Sequence, residues 1–356
     1  MPWPERVFAK RNNMMRLPIL FAAVIAVCSG FAHAQVGEAL QRPALMVKDP
    51  QRTVLVAAAL AGTRIVAVGE RGIVILSDDR GAHWYQVACP VSVTLTMVRF
   101  VDDKNGVAVG HGGAVLTTSD AGATWTLRLD GKRLAALAKA TAKTIEEQRV
   151  ADRLVADGPD KPFLDVLMWD AKKLLAVGAY GLAYYSSDAG QSWSSWTARL
   201  PNPKALHWYV ISKAGNTLLL AGEQGLLVRS SDGGESFQSL NSPYKGSWFA
   251  GEFSSSGQLV LAGLRGNIWR TADSGNSWEH LPSPVPATIT AMATQADGSL
   301  LLASQAGVLM QLKDKSLLPL KSPSVPMPSA LLPIGGDLVL SMGIAGVVPV
   351  HTEARP

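Results

Sequence analysis

Five side chains of the types used in acid–base and nucleophilic chemistry recur after short apolar segments of this chain. They are Glu70, Arg71, Tyr180, Glu223 and Arg265. Arginines can grip the carboxylate of a substrate, and a tyrosine with a glutamate partner can serve as the nucleophile of a glycosidase. The first chemistry that these residue types suggest is therefore glycoside hydrolysis.

The sequence offers no pattern for a metal, a bound phosphate or a serine nucleophile. The six histidines are scattered along the chain, and the only two cysteines are Cys28 and Cys89. Metal sites need clustered ligands at set spacing, and no Gly-x-Ser-x-Gly string is present. We therefore expect no metal and no cofactor.

The elements that would position these side chains come from a repeat with a period of about 41 residues. A short apolar segment recurs, and its last residues are Gly69, Gly110, Gly178, Gly222, Gly263, Ser304 and Gly343. Short apolar segments bounded by Gly, Asp and Ser are typical of strands. About four strands at this period predict an all-β, seven-bladed β-propeller.

Five copies carry an Asp-x-Gly-x-x-aromatic unit after this segment. The carboxylate can accept backbone N–H bonds in a tight turn, the glycine can take a positive φ, and the ring can pack between blades. The unit resembles the Asp-box (BNR) motif, which joins the third and fourth strands of a blade. We assign these residues a structural role: Asp79, Gly81, Trp84, Asp120, Gly122, Trp125, Asp188, Gly190, Trp193, Asp232, Gly234, Phe237, Asp273, Gly275 and Trp278.

Sialidases also carry Asp-boxes on propellers, so a sialidase-like glycosidase is the enzyme alternative. The Phe/Tyr-Arg-Ile-Pro segment that such enzymes carry before the first Asp-box is absent. Their sites also use many loop insertions, whereas this repeat has one. We therefore expect a non-catalytic protein, with glycan binding as a further alternative.

The two ends of the repeat suggest how the ring closes. The sixth and seventh copies keep their strands but lose the Asp-box, and the seventh ends after three strands. Residues 35–50 are extended and partly apolar, and we predict that they supply the fourth strand of the last blade. The propeller itself would then span residues 51–352.

The step between the second and third copies is longer than the others by about 27 residues. This insertion, at about residues 131–162, is rich in Ala, Lys, Glu and Gln, and its apolar residues recur at helical spacing. We predict one amphipathic helix over residues 133–154. The helix either caps the propeller surface or docks a partner.

Strand alternation places the variable loops together. In an up-and-down blade, the turn between the second and third strands lies on the same face as the connection to the next blade, here called the turn face. The Asp-box turns lie on the opposite, box face. Binding usually resides in variable loops on a rigid repeat. We predict that the connections add Phe163 and Lys245 to the turn face, and that its partner-binding residues are Glu70, Arg71, His111, Tyr180, His207, Glu223, Gln224, Tyr244 and Arg265.

Residues 1–34 are typical of a signal peptide. Arg16 precedes the apolar run 17–27, and Ala32-His33-Ala34 is a small-x-small cleavage pattern. The run is too short to span a bilayer, and no later run is long enough. We expect an exported, periplasmic protein without a membrane span in the mature chain. A lipoprotein anchored through Cys28 is the weaker alternative.

Charge gives no reason to expect a nucleic-acid partner. The formal net charge is +5, but residues 1–34 hold four cationic side chains against one glutamate, which leaves +2 for the remainder. Proteins that bind nucleic acid show a pronounced basic footprint.

Several strings are more particular than the Asp-box. They are RIVAVGERG at 64–72, VAVGHGG at 107–113, AGEQG at 221–225, GLRGN at 263–267 and LQRP at 40–43. With these strings the chain resembles the photosystem II stability/assembly factor propellers over nearly all of residues 36–350. The resemblance implies a seven-bladed, non-catalytic propeller that holds a membrane-protein assembly intermediate, partly through arginines on one face. Arg71 and Arg265 are the nearest positional candidates.

The chain departs from the photosynthetic members of that family in two ways. It lacks their dense arginine patch, and it carries a secretory leader of ordinary bacterial type. Relatives in non-photosynthetic bacteria look like companions of RND-type export systems. We therefore expect a periplasmic scaffold or assembly factor that binds a membrane or envelope protein, with an RND-type transporter as a candidate.

Overall fold

The short apolar segments pair in chain order into seven antiparallel sheets. A computed structural model describes residues 38–352. Six of its sheets have four strands and one has three. The first strands of neighbouring sheets contact one another and surround a central cavity, so that each sheet is one blade of a propeller. The prediction of an all-β, seven-bladed propeller is confirmed.

The strands of the first four blades are as follows. Blade one holds β1 (Leu55–Ala61), β2 (Arg64–Gly69), β3 (Val74–Ser77) and β4 (Tyr85–Gln86). Blade two holds β5 (Leu95–Phe100), β6 (Gly106–Gly110), β7 (Val115–Thr118) and β8 (Thr126–Leu129). Blade three holds β9 (Phe163–Met168), β10 (Leu174–Gly178), β11 (Ala183–Ser186) and β12 (Ser194–Ser195). Blade four holds β13 (Trp208–Ala214), β14 (Thr217–Gly222), β15 (Leu227–Ser230) and β16 (Gln238–Ser239).

The remaining strands complete the ring. Blade five holds β17 (Trp248–Phe253), β18 (Leu259–Gly263), β19 (Ile268–Thr271) and β20 (Glu279–Leu281). Blade six holds β21 (Ile289–Thr294), β22 (Leu300–Ser304), β23 (Leu309–Lys313) and β24 (Ser316–Pro319). Blade seven holds β25 (Pro328–Pro333), β26 (Leu338–Gly343) and β27 (Gly346–His351).

The core lies between blades. Every residue of β6, β10 and β18 is buried, because a neighbouring blade covers each side of these second strands. Strands buried on both faces become continuous apolar runs instead of alternating ones. This explains why the repeat shows unbroken segments such as Gly106–Gly110.

Blades seven and one close the ring through side chains. Leu340 and Met342 of β26 pack in one buried cluster with Leu55 and Ile75 of blade one. The Ser329 hydroxyl donates to the Leu55 carbonyl oxygen at 2.8 Å. Apolar packing and hydrogen bonds of this kind join the first and last blades without a shared strand.

The predicted fourth strand of blade seven is wrong for the described residues. Residues 38–50 form no strand, and blade seven has three. Proline explains the difference: Pro349 in the middle of β27 and Pro43 in the proposed strand both lack the N–H that a ladder needs.

Residues 38–52, here called the N-terminal strap, bond to blade one and its connection to blade two. The Val47 N–H donates to the Gln86 side chain at 2.9 Å. The Ala44 N–H donates to the Cys89 carbonyl at 3.0 Å, and the strap in turn accepts a 2.8 Å bond from the Ser92 N–H. Further along, Lys132 forms an ion pair with Glu38. The strap therefore links blade one to the insertion.

The insertion holds two helices where the sequence predicts one. These are α1 (Gly131–Thr141) and α2 (Ile145–Asp157). The Thr144 hydroxyl accepts from the Glu147 N–H, and the Thr144 N–H donates to the Glu147 carboxylate in return, a capping box that starts a new helix. Leu134 of α1 and Leu154 of α2 are buried, whereas Ile145 is 78% exposed because the second helix begins there with a new helical phase.

Two predictions concern export and membrane insertion: a signal peptide at residues 1–34 and the lack of a membrane span in the mature chain. The signal peptide at residues 1–34 lies outside the described residues. Within residues 38–352, no helix has both the length and the hydropathy that crossing a membrane requires.

Candidate partner-binding face

The turn face is built on one backbone device. In blade one, the N–H of Glu70 donates to the Val54 carbonyl at 3.1 Å, which ties the turn between β2 and β3 to the start of β1. A side-chain carbon on Gly69 would overlap that same carbonyl oxygen, which explains the recurrent glycine. The turn and the blade connection therefore lie on one face, as the sequence predicts.

The second residue of this turn has a left-handed backbone. Arg71, Tyr180, Gln224 and Arg265 have φ between 53° and 57°, and Gly112 takes the position in blade two with φ 68°. L-residues rarely adopt this conformation. It directs four long side chains of three types outward from one recurring turn, and all four are exposed.

The structure places all nine predicted partner-binding residues on the turn face. Glu70, Arg71, His111, Tyr180, Glu223, Gln224 and Arg265 lie in the turns, and His207 and Tyr244 lie in the blade connections. That they bind a partner stays a prediction. Phe163 is a correction: it is fully buried in the core between blades two and three, where it contacts Tyr184 edge-on.

Three of these residues meet in one cluster. His207 Nδ1 lies 2.9 Å from a Glu223 carboxylate oxygen, and the His207 ring is 4.9 Å from the Tyr180 ring. On the other side, Lys161 Nζ lies 5.5 Å from the centre of the Tyr180 ring. The exposed Tyr180 ring thus lies between a half-buried carboxylate and the buried ammonium of Lys161, which is paired with Asp157.

A second pair lies between blades four and five. Partial burial raises the pKa of Tyr244, and the nearby positive charge of Arg265 opposes that rise. The Tyr244 ring packs edge-on against Trp248, with 5.2 Å between the ring centres. The side chains of Glu70, Arg71, His111 and Gln224 stand apart, and they make no hydrogen bond to another residue that the structure describes.

The box face repeats one hydrogen-bond network. In blade three, Asp188 accepts from the Ser192 N–H at 2.8 Å and from the Ser186 hydroxyl at 2.8 Å. The Ser186 hydroxyl oxygen accepts from the Gly190 N–H at 2.8 Å, and the Trp193 indole donates to the Gly190 carbonyl at 3.0 Å. This geometry explains each part of the Asp-box as a support for its own turn.

The sequence analysis missed one member of this network. A hydroxyl residue two positions before each Asp bonds both the carboxylate and the glycine N–H. The residues are Ser77, Thr118, Ser186, Ser230 and Thr271. Their recurrence at a fixed offset from the Asp is the signal that would have identified them.

Charged residues of the central cavity were also missed. Asp165 is buried inside β9, where it accepts two bonds from Arg99 Nη2, at 2.9 and 3.1 Å. Glu252 of β17 lines the same cavity. These residues could have been identified from the sequence, because each is a charged residue inside the otherwise apolar first strand of its blade.

Two further features bear on chemistry. The described residues contain no group of three or more His, Cys, Asp or Glu placed to hold a metal. Cys89 is buried, and burial raises the pKa of its thiol to about 11. A thiol with this pKa is a poor nucleophile at neutral pH.

Part of the chain matches a known family in sequence. Residues 145–315, a little under half of the chain, match the family described as photosynthesis system II assembly factor YCF48. No curated protein matches the chain.

Solved propellers are similar over most of the chain. The structure described as YCF48 bound to D1 peptide is 16% identical with a TM-score of 0.64, covering 88% of this chain and 100% of that one. YCF48 from Cyanidioschyzon merolae is 14% identical with a TM-score of 0.61, covering 86% and 98%. Virginiamycin B lyase from Staphylococcus aureus is 10% identical with a TM-score of 0.65, covering 88% and 99%.

At these identities the structural likeness shows the shared fold alone, and it includes a lyase as well as YCF48. The sequence match is what distinguishes between them. Together they confirm the resemblance recognised from the sequence: residues 145–315 match the photosystem II assembly factor family, and the described chain has the propeller fold of YCF48.

Proposed function

We propose that this protein is a non-catalytic periplasmic scaffold or assembly factor that holds a membrane or envelope protein on its turn face. The observation that carries the proposal is the pair of free guanidiniums on that face. Arg71 and Arg265 are exposed, and neither forms an ion pair with another described residue. Unpaired cations on a rigid face suit an acidic or carboxylate-bearing partner segment.

The backbone supports a binding role for these positions. A non-glycine residue in a left-handed conformation is strained by about 1 kcal/mol or more. Blade two avoids the strain with Gly112, whereas Arg71 and Arg265 accept it. Retention of long side chains at strained positions is consistent with a use for those side chains.

Apolar side chains on the same face favour a protein partner. Tyr180 is 56% exposed, Ile344 51%, Met327 49% and Leu264 38%. Exposed apolar groups among cations and aromatic rings are characteristic of protein-binding surfaces. A small polar ligand would need none of them.

The class of partner is inferred by comparison. YCF48 has been solved bound to D1 peptide, and the family pattern in residues 145–315 makes a membrane-protein segment the analogous ligand here. The bacterial leader and the absence of the dense arginine patch favour an envelope partner, of which an RND-type transporter is the specific candidate.

The geometry gives less support to a glycosidase. The hydrogen-bond partner of Glu223 is His207, not Tyr180, so the tyrosine and glutamate do not form the nucleophile pair of a sialidase-like site. Hydrolysis of sialosides or aryl glycosides that is lost in Tyr180→Phe would contradict the non-catalytic assignment.

Partner capture tests the proposal. Immobilised protein without residues 1–34 is incubated with detergent-solubilised envelope, and bound proteins are identified by mass spectrometry. We expect an integral membrane protein that is lost with Arg71→Ala/Arg265→Ala. The matched control is Lys172→Ala/Lys213→Ala, which removes the same charge from exposed residues outside the turn face.

Two results would overturn the proposal. One is a membrane protein that the arginine variant retains as well as the control does. The other is cell fractionation that places the full chain in the cytoplasm, since the proposed partner and the proposed compartment depend on export.

A further inference from the structure

The axis of the ring contains a cavity of about 580 Å³ between the first strands of the blades. Its side towards blades six, seven and one carries no charged residue: it combines apolar side chains such as Ala57 and Leu332 with the hydroxyls of Thr290, Thr294 and Ser329. Its fixed charges are confined to blades two, three and five, on Arg99, Asp165 and Glu252. Pockets of this size bind small ligands or single side chains, and a few polar groups in them determine specificity.

Asp165 and Arg99 are largely committed to each other and to the fold. Asp165 accepts from Arg99 and also from the Ile211 N–H of blade four at 2.9 Å. Although burial opposes the charge of Arg99, the carboxylates of Asp165 and Glu252 keep the pKa of Arg99 above its usual value. This ion pair therefore ties blades two, three and four, and its two charges cancel.

Glu252 is the uncommitted charge of the cavity. Its carboxylate makes no hydrogen bond and no ion pair within 4 Å to any described residue, although it is partly buried. Burial raises the pKa of Glu252, and Arg99 only partly offsets that effect. With the other two charges cancelled, the ionised form of Glu252 has no counter-ion of its own in the cavity.

Two aromatic rings mark the turn-face end of the same cavity. The Tyr209 and Phe249 rings lie 5.0 Å apart, each next to the first residue of its strand. Phe249 precedes Glu252 by three residues in β17, which corresponds to about 10 Å along a strand. Aromatic faces attract cations and pack against alkyl chains.

We propose that this cavity binds an organic cation with an extended alkyl stem. The ammonium or guanidinium head pairs with Glu252, and the stem passes between Tyr209 and Phe249. The head supplies the hydrogen-bond donors and the counter-ion that Glu252 lacks. The same chemistry is found in a free amine and in the side chain of a lysine or arginine.

Calorimetry with agmatine, which carries a guanidinium and an ammonium at the two ends of a butyl stem, tests the site, and N-butylurea is an uncharged probe with the same stem. We expect agmatine to bind the wild type and N-butylurea to show no measurable binding. Glu252→Gln should weaken agmatine at least tenfold. The matched control Glu235→Gln removes an exposed carboxylate of the box face outside the cavity, and it should bind agmatine as the wild type does.

The proposal is overturned if Glu252→Gln binds agmatine unchanged or if N-butylurea binds equally well. Phe249→Leu is a second variant that keeps an apolar side chain, and a several-fold loss is expected from it. Wild-type affinity in Phe249→Leu would contradict the role of the rings.

Two further probes distinguish the sources of the cation. Acetyl-Ala-Ala-Arg-Ala-Ala-amide that competes with agmatine, while its citrulline counterpart does not, identifies a basic side chain as the ligand. Agmatine binding without peptide binding identifies a free small cation. Binding of neither overturns the proposal, and none of these results depends on the capture of an envelope protein.

Discussion

The two faces of this propeller use the same repeat for different purposes. On the box face, the side chains that recur from blade to blade form hydrogen bonds within their own turn, as Asp188 does with Ser186 and Ser192. On the turn face, the backbone repeats but the side chains at the left-handed position are Arg71, Tyr180, Gln224 and Arg265. Side chains committed to their own turn specify the fold, and uncommitted ones are available for binding.

The largest expected effect on stability comes from a substitution that removes the aspartate of one Asp-box. Asp188→Ala removes the carboxylate that accepts from the Ser192 N–H, the Ser192 hydroxyl and the Ser186 hydroxyl. We expect the free energy of unfolding to fall by about 2–3 kcal/mol. Chemical denaturation measures it, with Gln224→Ala of the turn face as the control that should stay within about 0.5 kcal/mol. Equal losses in both variants would remove the distinction between the faces.

A variant of the turn face should lose binding while its stability stays nearly unchanged. Tyr180→Ala removes an exposed ring that contacts His207 and Lys161. We expect the affinity for the captured envelope protein to fall at least tenfold, since aromatic anchors dominate such interfaces. Stability should change by less than about 0.5 kcal/mol.

Tyr85→Ala is the matched control for that variant. Tyr85 is 44% exposed and belongs to β4 of blade one, outside the turn face. Its loss should leave capture unchanged, and an equal loss of capture in both tyrosine variants would argue against the turn face as the binding surface.

Acid should weaken the box face selectively. Backbone and side-chain bonds from His83 lower the pKa of Asp79 to about 2, and bonds from the Ser277 side chain and backbone lower the pKa of Asp273 to about 2. A lowered pKa in the folded state stabilises the fold above the unfolded value of 3.8, and this contribution is lost as the pH falls towards 2. The melting temperature should therefore fall over this window.

A variant with Asp79→Asn and Asp273→Asn tests the cause of that acid sensitivity. Its melting temperature should be lower than that of the wild type at pH 7. Between pH 4 and pH 2 its melting temperature should depend less on pH, because the two carboxylates that would be protonated are absent. A pH dependence identical to that of the wild type would assign acid unfolding to other groups.

The smallest expected effect lies in the cavity between the faces. Burial raises the pKa of Glu252 above its ordinary value of 4.5. A raised carboxylate pKa means that stability falls as the pH increases beyond 4.5, because the folded state resists ionisation. Glu252→Gln should therefore give a small rise in melting temperature at pH 7 and none at pH 4. A fall at pH 7 would show that the charge is compensated.

Much of the fold, and the face on which the candidate site residues lie, could be predicted from local patterns. The strands, the Asp-box turns and the placement of Arg71 or Arg265 on one face follow from spacing and strand alternation. The cluster of Tyr180, His207 and Glu223 could not be predicted, because spacing specifies a face but not which side chains touch across blades.

The sequence by itself determined the seven blades, the box turns and the variable face. The box turns depend on hydrogen bonds within a few residues, such as that of Asp188 with Ser186, and such bonds leave a recurrent pattern in the five repeats that carry the box. The tertiary structure alone decided the course of the N-terminal strap and the charged side of the cavity. Arg99 and Asp165 are 66 residues apart, and only closure of the ring brings such distant charges to one axis.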